Sequence, residues 1–223
     1  MSRGLDLDRD DERSREREER VARQTRDAHL LLRADDERDP DRRSDTLPSQ
    51  GFTLPEGRER ETVHVRSRRF DLRDTESETL VAVGSFRVVF EHDLRDGPYH
   101  GDEERLSQDV RALHAQNLLE RRTLAADDEG RTVAVLALTT HGRALLEACR
   151  REDEDRASRQ VVYAGWHKPA ETVHDASIYR MYQVEAAAIE GRGGRIDRVV
   201  LDDELKRVVY ASLNGRRFDS EEA

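Results

Sequence analysis

The segment LALTTHGRALLEACR, residues 136–150, constrains the fold more than any other stretch of the chain. It opens as a run of small and branched apolar residues, breaks at Thr139-Thr140-His141-Gly142, and resumes with Leu145 and Leu146 placed to face a core. A strand therefore turns directly into a helix through a polar step. Thr139 or Thr140 caps the new helix, Gly142 lets it approach the strand before it, and Arg143 projects from its first turn. Upstream, LLERRTLA (118–125) and RTVAVLALT (131–139) are strand-like runs joined by Ala126-Asp127-Asp128-Glu129-Gly130, a turn of hairpin composition.

The elements before this hairpin are helical. In GDEERLSQDVRALHAQNLL, Asp102 is placed as an N-cap, and Glu103 and Glu104 put negative charge in the first turn, where the helix dipole favours it. Leu106, Val110 and Leu113, continued by Asn117 or Leu118, give that helix one apolar face. A short helical turn around His92–Arg95 stops at Gly97-Pro98. Before it, DTESETLVAVGSFRVVF offers Asp74 or Thr75 as N-cap with Glu78 in the capping-box position. Its apolar residues at 80, 81, 83, 86, 88, 89 and 90 read as a core helix, with Gly84 as a close-packing position. TVHVRSRRFDL, residues 62–72, reads as one short strand made locally basic by Arg66, Arg68 and Arg69.

Helix, short helix, helix, hairpin, helix is the order that results, and residues 75–150 resemble a MarR-type winged helix-turn-helix. The resemblance rests on LHAQNLLER (113–121), which matches the leucine-rich turn closing that family's recognition helix, and on LTTHGRALLEA (138–148), where its wing returns. Asn117 stands where the family usually has a glycine, and asparagine tolerates the same left-handed backbone. Together with VGSFRVV, these pieces are also similar to winged-helix proteins that accompany plasmid replication and mobilisation genes. The resemblance implies double-stranded DNA as partner, a recognition helix at about 102–117 and a wing at about 119–138. Arg105, Gln108, Arg111 and His114 would then face the major groove. Arg121, Arg122 and Arg131 on the hairpin would meet phosphate or the minor groove, joined by Arg143 from the following helix. The competing reading makes the same residues an ordinary solvated face, because Glu103, Glu104 and Asp109 share the helix.

Charge bears on that choice. The chain has 223 residues and a net charge of −10, with 39% of residues charged and 35% hydrophobic. Residues 71–150 carry ten basic and sixteen acidic side chains, so the segment read as DNA-binding is the most acidic. A basic face requires the two signs to separate in space. Residues 1–60 mix charges at short range with little apolar patterning and read as a disordered arm, with a thin helical stripe at Val21, Ala28, Leu31 and Leu32. Cys149 is the single cysteine, which excludes a disulfide framework and a thiolate zinc cluster; it reads as a small buried hydrophobe. No signal peptide or membrane span is recognisable, and a cytoplasmic location is expected.

Beyond a charged connector at 150–160, VVYAGWHKP reads as an extended piece, 169–190 as a long helix, RIDRVVLD as a strand, and DDELKRVVYASL as a helix capped by Asp202 or Asp203. Val173, Ile178, Met181, Tyr182, Val184 or Ala188, and Ile189 pattern the long helix, which is expected to assist a homodimer. This small α/β segment at about 160–216 resembles the opening of a restriction-endonuclease-like domain. Glu204-Leu205-Lys206 has the ExK form of a nuclease signature, although a first-turn acid and an exposed lysine are the simpler account. His167, His174 and Asp175 fit no recognised metal spacing. The expectation is thus a mainly α fold with a β-wing at 62–150, a small α/β appendage and a disordered N-terminal arm. It binds DNA as a transcriptional or plasmid-maintenance regulator, without catalysis, cofactor or metal. A truncated nuclease and a winged-helix protein-interaction module are the alternatives.

Overall fold

The computed structural model describes residues 51–125, 132–152, 159–166, 171–207 and 209–210, all within the compact unit Ser44–Ala223. The charged arm over residues 1–50, the wing turn 126–131 and His167 lie outside the described residues. The fold is mixed α/β, with helices set against two small antiparallel sheets.

Residues 62–72 form a hairpin where a single strand was expected. Strands β1 (Glu61–Val65) and β2 (Arg68–Leu72) pair with Val63 opposite Phe70, and the chain reverses through Arg66-Ser67 with Arg66 at φ 54°. Two-residue reversals of this kind normally advertise themselves with Asn or Gly, which this one lacks. Val65, Phe70 and Leu72 turn to the core, and Arg66, Arg68 and Arg69 stay exposed. Residues 51–60, assigned above to the arm, are also packed. Phe52 is buried, with the Arg150 guanidinium 5.0 Å from its ring, and the Thr53 amide donates to the Cys149 carbonyl at 2.6 Å.

Helix α1 (Asp74–Phe86) is buried on nearly every side, as expected of a helix without a polar face. Its N-cap is Arg73, and the closing carboxylate is Glu76, which accepts from the Arg73 amide at 3.1 Å; Glu78 does not fill that role. The helix ends four residues earlier than its apolar run, because Arg87 takes φ 68° and Val89–Phe90 becomes strand β3. β-Branched and aromatic residues there fit a pleated surface better than a helix. A 3-10 turn (Glu91–Leu94) and helix α2 (Glu103–Ala115) follow. Asp102 caps α2 through its side chain, which accepts from the Arg105 amide, and Leu106, Val110 and Leu113 are buried as the spacing predicts. Asn117 then adopts φ 58° and leads into the next strand.

Strands β4 (Leu119–Ala125) and β5 (Thr132–Leu138) pair antiparallel, and β3 adds to the other edge of β5. The sheet order is β3-β5-β4, which makes β5 central and explains why Val135–Leu138 are fully buried. Helix α3 (Thr140–Ala148) starts where the polar step predicts. The Thr139 hydroxyl accepts from the His141 and Gly142 amides, and a side chain at Gly142 would overlap the Leu118 carbonyl. Cys149 closes this helix half-buried against the core, and burial pushes its thiol pKa up. Gly84 is crowded too, though by side chains rather than backbone, since a Cβ there would stand 2.9 Å from Leu138 Cδ1.

The C-terminal segments join the same core. The stretch 159–166 forms neither helix nor strand, and the Tyr163 amide donates to the Gly84 carbonyl at 2.8 Å, filling a helix-end acceptor of α1. Helix α4 (Thr172–Glu190) seats Tyr179 edge-on against Phe86 at a ring distance of 5.1 Å, with Tyr182 on the same ring at 4.8 Å. Burial pushes the phenols of Tyr163 and Tyr182 up to about 12. The buried residues of α4 include Ala176, Tyr179 and Ala186, while Val173 and Met181, which belong to the apolar pattern read from the sequence, are exposed. The expected strand in RIDRVVLD does not form. Residues 195–201 carry no ladder, and the Gln160 side-chain amide bonds both the amide and carbonyl of Val199. Residues 202–207 are helical.

Candidate nucleic-acid interface

Each candidate arginine has a position set by its element, and the positions differ in whether a carboxylate already occupies the cation. Arg105, in the first turn of α2, donates to Asp74 at 3.0 Å and to the Thr75 hydroxyl at 3.3 Å. Gln108 donates to Glu104 at 3.1 Å along the same helix. Arg121 donates to Glu91 on the 3-10 turn at 2.5 Å. These three are engaged within the fold.

Arg111, Arg122 and Arg143 have no carboxylate partner among the described residues. Arg111 donates only to the Ser107 carbonyl, one turn back along α2. Arg122 lies over the Trp166 ring at 4.3 Å, and that indole donates to Glu120. Arg143 is exposed on the first turn of α3, as is His114 on the last turn of α2. Arg121 and Arg122 are consecutive strand residues, so they leave opposite faces of the sheet and do not share a surface. Arg131 lies outside the described residues.

Charge separates along α2. At its N-terminal end Asp102, Glu103 and Glu104 accumulate, and Arg95 is paired with Asp96 and Glu103. An open groove of about 360 Å³ at that end, lined by Glu91, His92, Arg95 and Glu103 over Leu106 and Val133, has most of its charges internally paired. The C-terminal turn of α2 is different. Asn117 there bonds His141 at 2.8 Å, bringing the start of α3 alongside, while Gln116 grips strand β2.

The strongest ionic cluster is one that charge counting did not identify. Glu76 and Asp109 are both fully buried. Arg60 donates to Glu76 at 2.5 Å and stands 3.8 Å from Asp109; Arg73 donates to Asp109, as does the Thr75 hydroxyl at 2.5 Å. Hydrogen bonds to Glu76 and Asp109 respectively raise the pKa values of Arg60 and Arg73, overriding burial. The available signal was positional: Asp109 lies three residues after Leu106 and four before Leu113, on the apolar face of α2, where an acid demands a partner. A second cluster holds α4 and the last helical stretch through Arg87, which pairs with Asp175 at 3.2 Å and Asp203 at 2.7 Å and covers the Tyr163 ring.

The ExK triplet does not converge on a shared point. Glu204 pairs with Arg198 at 2.7 Å, and Lys206 pairs with Asp202 at 2.8 Å, a hydrogen bond that holds the Asp202 carboxyl below its ordinary range. Among the described residues no group of three or more histidines, cysteines or acids is placed to hold a metal, and no helix is long and apolar enough to cross a membrane. Compared with known proteins, the chain matches no family model, no curated protein and no solved structure.

Proposed function

We propose that residues 74–148 act as a winged helix-turn-helix that binds double-stranded DNA, with α2 as recognition helix and the β4–β5 hairpin as wing, in the service of transcriptional or plasmid-maintenance control. The observation that carries this reading is the set of cations without carboxylate partners among the described residues, Arg111 on α2, Arg122 on β4 and Arg143 on α3. Support also comes from the sheet order β3-β5-β4, in which α2 leads straight into one wing strand and the other leads straight into α3. Arg105, Gln108 and Arg121 contribute less in this reading, since binding DNA with them means giving up Asp74, Glu104 and Glu91. Fold alone does not assign function, so the cations bear the weight.

The test is a titration of the protein on mixed-sequence duplex at several salt concentrations. Phosphate contact releases counterions and gives a linear log–log dependence, with each contact adding about −0.9 to the slope. Arg111→Ala and Arg122→Ala are expected to flatten it by about one contact each. A slope unchanged in both variants removes the proposed face.

A protein-interaction module is the second reading. It is favoured by the internal pairing of Arg105 and Arg121 and by the exposure of Val173 (52%) and Met181 (67%) on α4. The same two residues suit a homodimer through α4, which gives a small DNA reader its two half-sites. Sedimentation is expected to detect association in the micromolar range, lost in Met181→Glu; a monomer throughout that range rules out the dimer.

A further inference from the structure

The β1–β2 hairpin is unused by the reading above, yet it carries the densest run of positive charge in the described chain. Residues 62–70 hold Arg66, Arg68 and Arg69 and no acid. All three arginines are exposed, and among the described residues the one carboxylate paired with any of them is Asp71, 3.7 Å from Arg69. Asp71 is itself occupied, accepting from the Thr62 hydroxyl at 2.7 Å.

The hairpin is fixed rather than loosely appended. The chain meets α2 twice here: Arg73, just past β2, reaches Asp109, and the Asp71 backbone within β2 is gripped by Gln116, which accepts from its amide at 2.8 Å and donates to its carbonyl at 3.0 Å. Stepping back from residue 73 to residue 71 thus corresponds to stepping forward from 109 to 116 along α2. The hairpin runs antiparallel to the helix, and its Arg66-Ser67 turn points past the helix's C-terminal end. That is the end free of the acidic residues that crowd the start of α2, and the end where Asn117 holds His141 and the first turn of α3 with Arg143.

We propose that this hairpin is a second phosphate-contacting finger, gripping the backbone of the same duplex beyond the C-terminal turn of α2. The inference rests on the DNA-binding reading and adds to it a contact that lies outside the helix and the β4–β5 wing. Three features select nucleic-acid phosphate as the partner. Arginine presents a planar fork suited to phosphate oxygens. The two-residue turn holds the cations in place, which reduces the ordering cost of binding. The apolar side chains next to the turn, Val65 and Phe70, are buried, so the tip has nothing to insert into a lipid surface.

The experiment uses the full chain and a triple variant, Arg66→Asn, Arg68→Thr and Arg69→Thr. Asparagine tolerates the left-handed backbone at 66, and threonine suits exposed strand positions. Binding to mixed-sequence duplex is followed by anisotropy between about 50 and 200 mM salt. Arg68 and Arg69 leave opposite faces of β2, so one duplex backbone meets Arg66 together with one of them. Loss of those two contacts shrinks the log–log slope by about 1 to 2 and weakens binding by roughly 10- to 100-fold near 0.1 M salt. A variant with lysine at 68 and 69 keeps most of the slope, because charge is retained. If the chain binds duplex and the triple variant, unchanged in thermal melting, keeps its slope, the hairpin inference is overturned and the DNA-binding reading stands. If the unaltered chain binds no duplex at the lowest salt, that reading falls and the finger falls with it. Hairpin-dependent capture on phosphatidylserine vesicles in place of duplex overturns the proposal in favour of a membrane partner.

Discussion

Replacing Asp109 with alanine is expected to lower the unfolding free energy by about 3–5 kcal/mol, the range seen when one partner of a buried ion pair is removed. The carboxylate is fully buried and receives Arg73 and the Thr75 hydroxyl, with Arg60 close by. Its removal leaves the largely buried Arg73 guanidinium without its main partner. Typical domains are stable by only about 5–15 kcal/mol, so the loss is a large share of the whole. Urea unfolding reads it directly. A double replacement, Asp109→Leu with Arg73→Met, is expected to recover part of the loss, since apolar side chains can substitute for a buried pair when both charges go together. A cost below about 1 kcal/mol in the single variant would mean that the cluster is solvated in solution.

The second large effect is expected at Phe86. Alanine there removes a ring that is fully buried and touches both Tyr179 and Tyr182 of α4, and truncations of this kind cost about 3–5 kcal/mol. Leucine at the same position keeps most of the volume and is expected to cost appreciably less. Because the contact joins α1 to α4, Phe86→Ala and Tyr179→Ala are expected to be less than additive, with a coupling of about 0.5–1.5 kcal/mol. Strict additivity would show that α4 does not dock on α1 through these rings.

How far the chain could be read from its sequence depended on whether a local signal matched the tertiary outcome. Asp102, with Leu106, Val110 and Leu113 behind it, announces α2 completely, because cap and apolar stripe agree. Thr139 and Gly142 announce α3 for the same reason: a hydroxyl that must accept amides and a backbone that must touch Leu118. Val89 and Phe90 misled, since an apolar run continuing past a buried helix carries no period to mark the change to strand. On α4, Val173 and Met181 fit the helical spacing as well as Tyr179 and Ala186 do. The choice between them is made by Phe86 and Gly97, which are distant in sequence.

The candidate interface was legible as a list of cations and illegible as a surface. Nothing local in Arg105 or Arg121 reveals that Asp74, thirty-one residues away, and Glu91, thirty residues away, complete them. Arg66, Arg68 and Arg69 were visible as a basic run, but their place past the end of α2 follows only from the grip of Gln116 on Asp71.

Arg60 has a practical consequence for anyone trimming the polypeptide. A shortened version beginning at residue 62, the boundary that hydrophobic patterning suggests, discards the guanidinium that Glu76 depends on. It also strips away Phe52, which sits beneath Arg150. A piece that keeps these contacts therefore begins no later than residue 51, eleven positions before the pattern becomes visible.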